Sequence, residues 1–258
     1  MKRRQLVRYA GAGFLAALGT GIASGSKPFY AQTGNAFSAK WLGHTCFLFT
    51  GGGRRILVNP FRPLGCTAGY RAPRVTADLV MVSSLLFDEG SLEGIPGNPQ
   101  LLTESGAYDL QGLQVQGVGM PHDRKGGRRF GTNVIWRWQQ AGINVVHMGG
   151  SAAPIDFDEQ ILIGRPDVLC IPVGGGPKAY NPREAKQAIE LLDPKLIVPT
   201  HYRTQAADAN ACEIESLEEF LNIMDDVPVQ RVGGDTLTVR PSDLPADGSR
   251  IKILSYRF

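Results

Sequence analysis

The sequence predicts an α/β fold in which two β-sheets are sandwiched between helices. In the first half, short apolar segments rich in β-branched and aromatic residues are separated by turn residues, as in a meander of strands; the whole chain carries 32 glycines and 17 prolines. In the second half, strand-like and helix-like segments alternate. A length of 258 residues with 43% hydrophobic composition is enough to bury one substantial core. No internal repeat, heptad pattern or low-complexity linker divides the chain, so a single domain is expected over residues 38–258.

Strands are expected near residues 38–50, 54–58, 78–83, 112–118, 133–138, 143–147, 168–172, 196–199, 235–239 and 251–255. Gly51-Gly52-Gly53 and Ala141-Gly142 have the composition of hairpin turns. Asn181-Pro182-Arg183-Glu184 supplies a cap, a proline at the first helical position and an acid at the third, so a helix follows through Leu192. A second helix starts at Ser216-Leu217-Glu218-Glu219 and runs to about Met224.

The N-terminus carries a different signal. Lys2, Arg3, Arg4 and Arg8 precede a Gly/Ala-rich apolar run from Tyr9 to about Ser24, too short and too weakly hydrophobic for a transmembrane span. Residues 1–31 are expected to be an export signal of the twin-arginine type or an N-terminal anchor. They hold five basic residues, Lys27 included, and no acid, so the remainder has 22 basic against 24 acidic residues and a formal charge of about −2 instead of +3. The basic balance belongs to the signal, and no nucleic-acid footprint remains.

A series of ordered motifs carries the chemistry. Trp41-Leu42-Gly43-His44-Thr45-Cys46 leads into Val58-Asn59-Pro60; Ser83-Ser84-Leu85-Leu86-Phe87-Asp88-Glu89 follows a strand; then come His122-Asp123, His147-Met148-Gly149-Gly150, Pro172-Val173-Gly174-Gly175-Gly176 and Pro199-Thr200-His201. In this order and spacing, over roughly residues 38–240, the chain resembles the metallo-β-lactamase superfamily, in its branch of Zn-dependent hydrolases similar to L-ascorbate-6-phosphate lactonase. The resemblance implies a metallo-β-lactamase-like αββα sandwich of two mixed β-sheets flanked by helices.

It also implies a metal-ligand set, and this chain departs from it. The family motif Ser-His-x-His-Phe-Asp-His falls on residues 83–89, where Ser84, Leu86 and Glu89 stand at the three histidine positions and Asp88 is kept. The third-motif histidine corresponds to His122, the aspartate of His-x-Gly-Asp becomes Gly150, and the final histidine is His201. Asp88, His122 and His201 are therefore the candidate metal ligands, and Asp88 and Glu89 the candidate acids for moving a proton to or from water. Zinc catalysis needs about three protein ligands plus a water, and leucine cannot ligate. Without a bridging carboxylate at position 150, activation of water by two metals is not expected. The expected cofactor is none, or one divalent metal, Zn or Mn, at low occupancy. Asp88 has an alternative role as a turn or helix cap, because Asp88-Glu89-Gly90-Ser91 carries that chemistry by itself.

The other candidates are read more plainly. His44, beside a glycine turn, and His147, at a strand end, are expected to be structural, while His122 and His201 line a shared pocket. The Pro172–Lys178 loop is a close-approach loop at the pocket rim, or a weak phosphate cradle. Arg124, Lys125, Arg128 and Arg129 form a solvated basic loop, or one that attracts an anion. Asp109, Asp123 and Asp156 are conceivable replacement ligands. Cys46 and Cys170 sit in apolar strands as buried thiols, and Cys66 and Cys212 are left as a disulfide that oxidising conditions would allow.

Three functional expectations follow. The first is an exported, non-catalytic member of the fold that binds a small-molecule ligand or a protein partner. The second is a hydrolase of esters, lactones or phosphoesters working through a reduced mononuclear site. The third is a structural subunit of a membrane-associated assembly, with membrane contact through the N-terminus. The expected location is the periplasm or an equivalent lumenal compartment.

Overall fold

The computed structural model describes residues 36–258; the expected export signal lies outside the described residues. The first sheet is built from β1 (Phe37–Gly43), β2 (Cys46–Gly51), β3 (Arg54–Val58), β4 (Leu79–Met81) and β5 (Gln100–Leu102). The second begins with β6 (Gly106–Leu110), β7 (Leu113–Pro121), β8 (Thr132–Gln140) and β9 (Ile143–His147). Helix α1 (Phe157–Ile163), β10 (Val168–Pro172), α2 (Pro182–Leu192), β11 (Leu196–Thr200), α3 (Leu217–Ile223), β12 (Val229–Arg231), β13 (Thr236–Val239) and β14 (Arg250–Ile253) complete the order. The spatial orders are β13-β1-β2-β3-β4-β5 and β12-β14-β11-β10-β9-β8-β7-β6, and both sheets mix parallel and antiparallel pairs.

The two-residue period of a strand explains the layers. Along β8, Val134, Trp136 and Trp138 enter the core between the sheets, whereas Ile135 points into a second core. The same split divides Val168 and Cys170 from Leu169 and Ile171 on β10. Strands buried on both faces read as continuous apolar runs, which is why these segments were legible. Ala185, Ala188, Ile189 and Leu192 of α2, Ile163 of α1 and Leu217 and Phe220 of α3 fill that second core. All three α-helices of the described residues thus contribute to the outer side of the second sheet.

Local signals explain most boundaries. Asn181 caps α2 by accepting from the Arg183 and Glu184 amides at 3.0 Å, and Glu184 accepts from the Asn181 amide at 2.9 Å. Ala141 and Gly142 both adopt positive φ, which turns β8 into β9. Helix α1 went unanticipated, although Asp156-Phe157-Asp158-Glu159 carries a capping box in which Asp156 and Glu159 bond reciprocally. Strands β5, β6 and β12 also went unanticipated. They are short, β5 and β6 lie at sheet edges, and every residue of β12 is exposed, so their hydrophobic pattern is faint.

Cys66 and Cys212 are disulfide-bonded across 146 residues, while Cys46 and Cys170 are free and buried. Among the described residues no helix is long and apolar enough to cross a membrane.

Candidate functional site

The motif residues converge at one end of the two sheets because each follows a strand terminus. His44 lies in the β1–β2 turn, Ser84, Asp88 and Glu89 follow β4, His122 follows β7, Gly150 follows β9, Lys178 follows β10 and His201 follows β11. His44 and His201 both sit at positive φ, 53° and 49°, a conformation that non-glycine residues rarely hold outside constrained sites. Glycines make the approach: a Cβ on Gly43 would lie 2.6 Å from the Tyr70 ring, and one on Gly174 would lie 2.2 Å from the His201 carbonyl oxygen.

The gathered residues form two groups. In the first, His44 Nε2 lies 3.7 Å from Asp88 Oδ2, the rings of His44 and His201 are 4.4 Å apart between centroids, and the ligand atoms of His44, Asp88 and His201 all fall within 4.8 Å of one another. Lys178 Nζ donates to Asp88 Oδ2 at 2.5 Å, with its side chain only 13% exposed. Burial opposes ionisation of Asp88, but the neighbouring His44 and the Lys178 charge prevail and hold its pKa far below the ordinary carboxylate range. Burial lowers the pKa of His201 well below that of a free imidazole, and the nearby His44 and Lys178 add to the effect.

In the second group, Ser84 Oγ donates to Glu89 Oε2 at 2.9 Å, and His122 Nε2 lies 3.4 Å from the same oxygen. Glu89 and His122 are fully buried. Burial also lowers the pKa of His122, although the Glu89 charge pulls the other way.

Several expectations are revised by this arrangement. His122 does not join Asp88 and His201; it pairs with Glu89, and His44 takes the third place beside them. His44 was expected to be structural, and its only local hint was the strained turn after Gly43. Glu89, expected as an acid acting on water, is enclosed and tied to Ser84. Asp88 faces a lysine and a histidine instead of capping a helix. Lys178, read as a rim residue, lies at the centre, because a lone lysine after three glycines has no sequence signature for that role.

His147 matches its structural reading. Its Nδ1 accepts from the Gly149 amide at 3.2 Å and its Nε2 contacts the Thr45 carbonyl at 2.8 Å, so Nε2 carries the proton and ties the second sheet to the first.

The conceivable replacement ligands are spoken for. Asp123 accepts the amides of Lys125, Gly127, Arg129 and Phe130; burial would raise its pKa, but these four donors lower it to about 2. Asp156 caps α1, and Asp109 accepts from the Gly112 amide and the Gln114 side chain. In the basic loop, Arg124 grips the Glu184 carboxylate and the carbonyls of Gly176 and Ala179, which anchors the Lys178 loop to α2.

These donor sets can be weighed against metals. The centre that would use positions 84, 86 and 122 does not fit, since Leu86 has no donor atom and Ser84 is already bonded to Glu89. His44, Asp88 and His201 have the donor chemistry for one cation, and His44 Nε2 and His201 Nδ1 are buried without a hydrogen-bond partner. Lys178, however, already holds the only carboxylate of that group. A two-metal site does not fit these residues.

The Beta-lactamase superfamily domain matches residues 38–201, and the chain belongs to that superfamily, the metallo-β-lactamase fold with its metal-dependent hydrolases. A metal-dependent hydrolase from Methanoregula boonei is 30% identical over 201 residues, covering 66% of this chain and 85% of the relative. One from Thermococcus kodakarensis is 28% identical over 219 residues, covering 72% and 92%. Among solved structures, a Thermotoga maritima protein assigned as a Zn-dependent hydrolase of the metallo-β-lactamase superfamily matches with a TM-score of 0.67 and 28% identity over 85% of this chain and 100% of that one. The metallo hydrolase Igni18 from Ignicoccus hospitalis shares the fold with a TM-score of 0.55 and 20% identity, covering 80% of this chain and 99% of that one.

Proposed function

We propose that this chain is an exported member of the superfamily that binds a small ligand without hydrolysing it. One observation carries the reading: the ammonium of Lys178 sits on Asp88, the one carboxylate the motif has kept for a metal. With that acid neutralised by Lys178, and with Glu89 enclosed beside His122 and bonded to Ser84, neither motif acid is free to activate water. A cavity of about 340 Å³ lies between α2 and the segment before α1, lined by Arg124, Ala152, Ile155, Tyr180 and Leu191 and by none of the clustered motif residues, in the size range of small-molecule sites. Export is supported by the N-terminal sequence and by the Cys66–Cys212 disulfide, a bond that persists in oxidising compartments.

The experiment is metal content by mass spectrometry after dialysis, following separate loading with Zn²⁺ and Mn²⁺, together with a panel of esters, lactones and phosphoesters. The expected result is protein without stoichiometric metal and without turnover above the uncatalysed rate. A second reading, a mononuclear hydrolase, is favoured by the clustering of His44, Asp88 and His201. About one metal retained per chain, with turnover lost in His201→Ala, would establish it instead.

A further inference from the structure

We infer that Lys178 is the resident cation of this site: its ammonium occupies the coordination space of a metal and closes a latent binding position made of His44, Asp88 and His201. The inference rests on the metal-free reading above and assigns that reading to one side chain.

The geometry is specific to this loop. Three glycines, Gly174, Gly175 and Gly176, bring the chain after β10 past the His201 turn, where a Cβ on Gly174 would collide with the His201 carbonyl. Arg124 then fixes the loop by bonding the carbonyls of Gly176 and Ala179 on either side of Lys178. The side chain is delivered inward, largely buried, with Nζ 2.5 Å from Asp88 Oδ2. An ammonium is a compact point charge, so it can neutralise a carboxylate where a cation would. It cannot accept the lone pairs of two imidazoles in the way a transition metal does. That difference matches the two ring atoms that make no hydrogen bond, His44 Nε2 and His201 Nδ1.

A half-buried carboxylate that loses its lysine partner is left poorly compensated, so removing Lys178 should create a demand for another positive charge. Wild type, Lys178→Met and Lys178→Gln are loaded with Zn²⁺ or Co²⁺, dialysed and analysed for metal, for the visible absorption of bound Co²⁺ and for thermal stability. The Gln variant keeps a polar donor on the same side chain without the charge, in case the Met variant does not fold. The expected result is no retained metal in wild type, about one metal per chain in the Lys178 variants, a metal-dependent rise in their Tm, and loss of both in Lys178→Gln combined with His201→Ala. If neither Lys178 variant takes up metal, the inference is overturned while the metal-free reading stands. If wild type holds metal as tightly as the variants, both are overturned. Turnover by metal-free wild type would overturn only the non-catalytic reading.

Discussion

A Cβ at Gly150 would lie 2.4 Å from Glu89 Oε1 and 2.5 Å from His122 Nε2, so the glycine and the glutamate are two halves of one exchange. Where the family pattern has a histidine at 89 and an aspartate at 150, this chain has a glutamate whose carboxylate reaches into the space vacated at 150. The carboxyl group in this space comes from the loop after β4 and not from the loop after β9.

Gly150→Asp on its own is therefore expected to destabilise the protein by about 1–3 kcal/mol through overpacking, with the like charge of Glu89 adding to the cost. Glu89→His combined with Gly150→Asp should cost less than the two single changes added together, because the pair shares one space. Urea unfolding of the four proteins measures the coupling. Strict additivity would mean the two positions are independent.

Stability should fall as the solution is acidified from about pH 6.5 to about pH 4. Burial lowers the pKa of His147 from 6.5 to about 4, with its bond to the Thr45 carbonyl only partly opposing the shift. Between these values the unfolded chain binds a proton that the folded chain excludes, so stability rises with pH and is lost as pH drops. His122 and His201 are shifted in the same direction and act with the same sign. His147 alone accounts for up to roughly 3 kcal/mol. A His147→Gln variant should show a shallower slope in this window, read by denaturant midpoints at fixed ionic strength. An unchanged slope would assign the effect elsewhere.

Reducing the Cys66–Cys212 disulfide should lower stability by about 2–5 kcal/mol, since it closes a long loop in the unfolded chain. The double variant Cys66→Ser, Cys212→Ser should match the reduced wild type and be indifferent to dithiothreitol. Cys46 and Cys170 are buried, and burial raises both thiol pKa values, so neither should react with a thiol reagent in the folded state.

Gly43→Ala should disturb the site from a distance. Gly43 holds φ at 110° and abuts the Tyr70 ring, so an alanine is strained in the backbone and blocked in space. A loss of about 1–3 kcal/mol is expected on thermal unfolding, with a shifted His44 resonance by NMR. Wild-type stability in this variant would show that Tyr70 moves aside freely.

The sequence by itself determined the layers, the main strands, the capping of α2 and the presence of Ser84, Leu86 and Glu89 where the resemblance implies histidines. Each of these is local: a two-residue hydrophobic period, an Asn-Pro-x-Glu start, or a leucine where an imidazole is needed. It also placed Asp88, His122 and His201 in loops at strand ends. Only the tertiary structure decided how they group, because loops far apart in the chain meet through sheet order and not through spacing. That is why His44 joins Asp88 and His201, why Glu89 turns inward to His122 across a glycine, and why Lys178, unremarkable in the chain, neutralises the central acid. A charge is recognised by what stands within about 4 Å of it, and that neighbourhood exists only once both sheets have formed.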